Sequence, residues 1–132
     1  MIKILTISLL FGLAGCISSP SLPTGPVTPV FFQPFSVALD EPALTAIASA
    51  AKAANQRPDA RVTVTGAADS VGSIQENKYL SQTRAQAVAD ALVSDGVAAD
   101  RIHIRGVGIA SAPGAVGTPA QSARRVLVQI GR

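Results

Sequence analysis

The chain has 132 residues, enough for one small domain. Apolar residues make up 48% of it, which excludes a disordered chain, and a single Cys excludes a disulfide scaffold. One His and one Cys are too few for a zinc cluster, and a net charge of +3 from 11 basic and 8 acidic residues, scattered along the chain, is no nucleic-acid footprint.

Residues 1–15 begin with Lys3 and an apolar run from Ile4 to Leu13, the length of a signal-peptide core and short for a membrane span. The run ends in Leu13-Ala14-Gly15-Cys16, which closely resembles the lipobox of bacterial lipoproteins. That resemblance implies cleavage before Cys16, a diacylglyceryl group on its thiol, and acylation of the new amino terminus, with palmitate the expected chain. An ordinary signal peptide with a chance Cys is the weaker alternative. Each buried methylene contributes roughly 0.8 kcal/mol, so three acyl chains would hold the protein effectively permanently. Ile17 follows the Cys where an Asp would signal retention, which by the same resemblance implies the outer membrane, with the rest of the chain in the periplasm.

Residues 16–29 are read as the lipidated Cys and a tether. Pro20, Pro23, Pro26 and Pro29 recur at every third position, the period of polyproline II. Residues 17–29 would then reach on the order of 40 Å, although a merely flexible linker would serve equally. The globular part is placed at residues 30–132.

Within it, Val30-Phe31-Phe32 is the first strand. Asp40-Glu41-Pro42 opens a helix whose buried stripe is read as Leu44, Ile47, Ala48 and Ala51, stopped by Asn55 and Pro58. Arg61 to Thr65 alternates as a second strand that ends at Gly66. Ser73 and Glu76 form a capping box for a long second helix with Ala85, Val88, Ala89 and Leu92 on its buried stripe and Gly96 as its left-handed cap. Arg101-Ile102-His103-Ile104-Arg105 alternates as a third strand, with the two Ile buried and the Arg and His residues solvated. A Gly/Ala/Pro loop is expected over residues 106–120, followed by a last strand from Arg125 to Ile130. The expected fold class is α+β: β-α-β-α-β-β, a mixed four-stranded sheet with two helices packed on one face.

The stretch Gly66-Ala67-Ala68-Asp69-Ser70-Val71-Gly72, then Asn77, then Leu80-Ser81-Gln82-Thr83-Arg84-Ala85, resembles the signature of the OmpA C-terminal-like (OmpA/MotB/Pal) peptidoglycan-binding family. The family pattern is roughly G-x-T-D-x-x-G, Asn, and L-S-x-x-R-A-x-x-V. Gly96-Val97, Arg101-Ile102, Gly106-Val107-Gly108 and Arg124-Arg125-Val126 extend the agreement. The resemblance implies that Asp69 and Arg84 bind diaminopimelate in the stem peptide of peptidoglycan. The chemistry is apt: the free end of diaminopimelate carries an ammonium, which a carboxylate accepts, and a carboxylate, onto which a guanidinium forks. Gly66 and Gly72 are read as turn residues that bring backbone close to the ligand. Asn77 is a further candidate contact, or a structural bond that fixes the loop. Tyr79 is read as packing.

The chain departs from the family pattern in places. Ala68 stands for the Thr of T-D, Ala123 stands for the Asn before the paired Arg, and Gln33 stands where the family is usually acidic. Gln33 keeps hydrogen-bonding capacity without charge and completes the candidate ligand-binding set.

These readings converge on an outer-membrane lipoprotein that binds the stem peptide noncovalently and ties the membrane to the cell wall. No cofactor or metal is expected. The alternative is a protein-interaction lipoprotein of an envelope complex, Tol–Pal-like or secretory, with a degenerate wall site. An enzyme is not expected, because the chain offers no nucleophile–base pair, no metal set and no placed acid pair.

Overall fold

The computed structural model describes residues 25–110 and 120–131. The signal peptide, Cys16, most of the tether and residues 111–119 of the expected loop therefore lie outside the described residues.

Four strands, β1 (Val27–Phe31), β2 (Val62–Ala68), β3 (Ile102–Ile109) and β4 (Arg125–Ile130), form one sheet in the order β1-β4-β2-β3. β2 and β3 run parallel, and the other two pairings are antiparallel. Two helices, α1 (Glu41–Asn55) and α2 (Ile74–Ser94), bury their stripes against the same face. That face presents Val30, Val62, Val64, Val126, Val128 and Ile130, all within 0% exposed. A fully buried side chain of this size contributes roughly 1.5–3 kcal/mol.

The first strand starts at Val27, earlier than the apolar run suggests, and stops at Phe31. Pro29 fits within it because β1 is an edge strand, where a missing N–H leaves no ladder bond unmade. α1 begins as expected, with Asp40 accepting from the Ala43 N–H at 3.0 Å. Its buried stripe is different: Ala43, Ile47, Ala50, Ala51 and Ala54 face the core, whereas Leu44 is half exposed and Ala48 is exposed.

β2 does not stop at Gly66 but passes through it to Ala68. A Cβ on Gly66 would lie 1.9 Å from the Ser81 carbonyl oxygen, and one on Gly106 would lie 2.7 Å from Gln82 backbone. The glycines of the two parallel strands thus let the first half of α2 lie directly on the sheet. Gly66 serves packing here, not a ligand turn. β3 likewise runs on to Ile109, into what the sequence marks as loop.

Arg101 is not a solvated strand residue. It sits in a short 3-10 turn before β3 and folds back, donating to the carbonyls of Ala54, Arg57 and Ala60. It thereby satisfies carbonyl groups at and beyond the end of α1. His103 is exposed, as expected, but Ile104 is also 37% exposed because β3 is the other edge of the sheet.

Candidate functional site

The buried face of α2 changes character along its length. Asn77, Ser81 and Arg84 occupy it first, then Ala85, Val88, Ala89 and Leu92. The apolar half belongs to the core. The polar half meets the end of β2, the loop after it, and the chain after β1.

The start of this helix is fixed locally. The Glu76 N–H donates to Ser73 Oγ at 3.1 Å, and the Ser73 N–H donates to Glu76 Oε2 at 2.9 Å, so the capping box is present. The hydrogen bonds from the Ser73 backbone and hydroxyl hold the Glu76 carboxyl below its ordinary pKa. Asn77, 3% exposed, donates through Nδ2 to the Val71 carbonyl at 2.9 Å. Of its two expected roles, the structure displays the bond that fixes the loop. Ser81 donates to the Lys78 carbonyl and accepts from the Gly108 N–H, both at 2.8 Å, which pins α2 to β3. Tyr79 is 76% exposed and does not pack.

Arg84 is fully buried. Its Nε donates to the Ser36 carbonyl at 2.9 Å, Nη2 to the Gln33 carbonyl at 3.0 Å, and Nη1 reaches the Ala67 carbonyl at 3.4 Å. The guanidinium carbon stands 5.2 Å from the centre of the Phe32 ring. Burial pushes the pKa of Arg84 down; the negative charge of Asp69 opposes this and the positive charge of Arg124 adds to it. The three charges therefore occupy one corner of the molecule.

The turn over Arg84 is closed by the Ser36 N–H donating to the Gln33 carbonyl at 3.2 Å. Pro34 stands in its second position and Phe35, with φ of 54°, in its third. Pro followed by positive φ is the pattern of a type II turn, here carried by Phe instead of Gly. Gln33 contributes its backbone to Arg84, while its side chain is exposed.

Asp69, 7% exposed, is paired within the chain. Oδ2 accepts from Arg124 Nη1 at 3.0 Å and Oδ1 accepts from the Val71 N–H at 3.2 Å. Arg124 also donates from Nε to the Phe32 carbonyl at 3.2 Å. Asp69 and Arg84 do share a corner, but the ion pair is Asp69–Arg124, not a free Asp69 facing a free Arg84. Arg124 is the residue that sequence reasoning leaves unassigned; its only sign is the Arg124-Arg125 pair before β4.

Next to the turn lies a cavity of about 250 Å³ lined by Phe35, Val71, Gly72, Glu76, Asn77 and Leu80. Its walls are apolar at Phe35, Val71 and Leu80 and polar at Glu76 and Asn77. Among the described residues, no group of three or more His, Cys, Asp or Glu is placed to hold a metal ion, and no helix is long and apolar enough to cross a membrane.

Residues 31–126 match the OmpA family. Over 54 residues, 41% of this chain, the sequence is 52% identical to outer membrane protein A of Serratia marcescens, covering 15% of that protein. Over 73 residues, 55% of this chain, it is 44% identical to the peptidoglycan-binding protein ArfA of Mycobacterium tuberculosis, covering 22% of it. The chain thus spans less than a quarter of the length of these relatives. The peptidoglycan-associated lipoprotein of Burkholderia pseudomallei has a similar fold, with a TM-score of 0.67 at 21% identity, over 79% of this chain and 88% of that one.

Proposed function

Because the chain belongs to the OmpA family, we propose that it is a non-enzymatic envelope lipoprotein whose domain grips the stem peptide of peptidoglycan at the corner built by Asp69, Arg84, Asn77 and the turn at Gln33. Lipid on Cys16 anchors it in the outer membrane, and the proline-rich segment spans from membrane to wall. The matched relative that binds peptidoglycan supports this reading.

The observation that carries it is the state of Arg84. A fully buried guanidinium has neutral carbonyls on its donors and, among the described residues, no carboxylate of its own. Unpaired buried charges are costly, and a charge-assisted fork from a carboxylate is the strongest partner a guanidinium finds. Nε and Nη2 form one edge of the guanidinium plane. The Ser36 and Gln33 carbonyls sit on that edge, where a side-on carboxylate would place its two oxygens. A diaminopimelate carboxylate takes this edge as the turn at residues 33–36 withdraws. The apolar walls at Phe35, Val71 and Leu80 then receive aliphatic parts of the stem peptide. A single weak site suffices for a tether, because anchoring holds the domain beside a polymer that repeats its ligand.

The test is co-sedimentation of the full chain, kept in detergent micelles, with purified walls of the diaminopimelate type and of the lysine type. Wild type should pellet with the former alone, and Arg84→Lys, which keeps the charge but loses the fork, should stay in solution. Equal pelleting of both proteins, or none of either, contradicts the reading. Radiolabelled palmitate should enter wild type and not Cys16→Ser.

A second reading, an envelope protein-interaction lipoprotein, draws on one observation: Asp69 is already neutralised by Arg124 within the chain. Ala68 and Gln33 point the same way. Crosslinking in cells that traps one dominant protein partner and leaves no wall-bound fraction would favour it.

A further inference from the structure

We infer that this site selects its ligand by a free carboxylate and takes little affinity from the ligand's ammonium. The inference rests on the proposed stem-peptide binding and adds which half of the amino-acid head decides specificity.

The three charges at the corner do not balance. Asp69 and Arg124 form a pair at 3.0 Å, with both side chains close to 10% exposed. That pair is neutral as a unit, and Asp69 Oδ1 also accepts the Val71 N–H. Among the described residues, Arg84 is left as the cation without an anion in contact: its donors meet the carbonyls of Ser36, Gln33 and Ala67. A ligand carboxylate supplies the missing charge in a place where water is excluded and the interaction is little screened.

An ammonium meets the opposite situation. The acid at the corner is already engaged by a guanidinium, and the chain carries Gln33, not an acid, on the turn. Glu76, the other acid on the neighbouring cavity, uses Oε2 to accept both the N–H and the hydroxyl of Ser73. Binding an ammonium at Asp69 therefore requires sharing its carboxylate with Arg124, so the attraction is largely offset by the cation already there. The head group is read through its carboxylate, and a carboxamide there is disfavoured, since it brings no charge and sets an N–H donor in place of one of the two oxygens that the fork of a guanidinium takes.

The experiment is calorimetric titration of the full chain in detergent micelles with three synthetic stem tripeptides. One carries unmodified meso-diaminopimelate, one has its terminal carboxylate converted to carboxamide, and one has the adjacent ammonium replaced by hydrogen. Amidation should weaken binding about tenfold or more, and removal of the ammonium should weaken it by less than about threefold. Gln33→Glu, an exposed and structurally mild change, should raise the cost of losing the ammonium to about tenfold by supplying an unpaired anion. If the unmodified peptide binds and loss of the ammonium costs as much as amidation, the inference is overturned while stem-peptide binding stands. If the unmodified peptide itself does not bind, stem-peptide binding fails and the inference fails with it.

Discussion

Arg124 holds Asp69 across 55 residues of sequence, donating to its carboxylate at 3.0 Å in a site nearly closed to water. The same guanidinium reaches the Phe32 carbonyl, and the Phe32 ring lies under Arg84. One arginine just before β4 thus ties together the chain after β1, the loop after β2 and the helix that carries the second guanidinium.

Breaking that pair from one side leaves a buried charge unmatched. Asp69→Ala is expected to lower unfolding free energy by about 3–5 kcal/mol, as is typical when one member of a buried pair is removed. The double variant Asp69→Ala/Arg124→Met should lose clearly less than the sum of the two single changes. Urea denaturation of all four proteins closes the cycle; additive losses would mean that the pair is not coupled in solution.

Arg84 is expected to contribute to the fold as well as to binding. Arg84→Met leaves the carbonyls of Ser36, Gln33 and Ala67 without its N–H groups. Each buried polar group left unsatisfied costs roughly 1–3 kcal/mol, and some of these carbonyls regain water, so the net loss should be about 2–4 kcal/mol by urea denaturation.

Gly66 tests the close approach of α2 to the sheet. Gly66→Ala places a methyl group 1.9 Å from the Ser81 carbonyl oxygen, which only a shift of helix backbone relieves. A loss of about 3 kcal/mol or more is expected, with weaker wall binding because Arg84 rides on the same helix. Gly131→Ala is the control: its nearest neighbour is the Arg61 carbonyl oxygen at 3.7 Å, an ordinary contact, and stability should change by less than about 0.5 kcal/mol.

The capping box sets an acid-side dependence. Glu76 has its folded-state pKa lowered by the Ser73 hydrogen bonds, so its contribution is present above the unfolded carboxylate pKa. It is lost as pH falls through the lower folded-state value. The melting temperature of wild type should therefore fall more steeply between about pH 5 and pH 3 than that of Glu76→Gln, which keeps an acceptor but does not titrate. Parallel curves would show that the box is not formed in solution.

The parts of this fold that were legible in the sequence are those where a local rule has no competitor. Ser73, Glu76 and Gly96 punctuate α2 by chemistry confined to a few residues, and Ala85, Val88, Ala89 and Leu92 differ sharply from their polar neighbours. α1 offers no such contrast. Its many alanines satisfy several stripes equally, and the one large candidate, Leu44, lies half exposed while small Ala43 and Ala50 face the core. Arg101 and Arg124 were opaque for another reason. Alternation says which way a strand residue points, but neither lies within a strand, and each bonds to groups far away in sequence. The motif positions Asp69 and Arg84 do reach one corner; the third charge there, Arg124, arrives from the turn before β4, 55 residues away from Asp69.

On the proposed reading, a ligand carboxylate replaces the Ser36 and Gln33 carbonyls on the fork edge of Arg84. The most direct test of that replacement is an NMR titration of the isotopically labelled full chain, in detergent micelles, with the diaminopimelate stem tripeptide. The resonance of the Arg84 Nε–H and the amides of residues 33–36 and Ala67 should shift together, with one common dissociation constant, and Arg84→Lys should abolish the response of the amides. A peptide that binds while these signals stay still, or a titration that moves nothing, would rule out a carboxylate on the fork of Arg84.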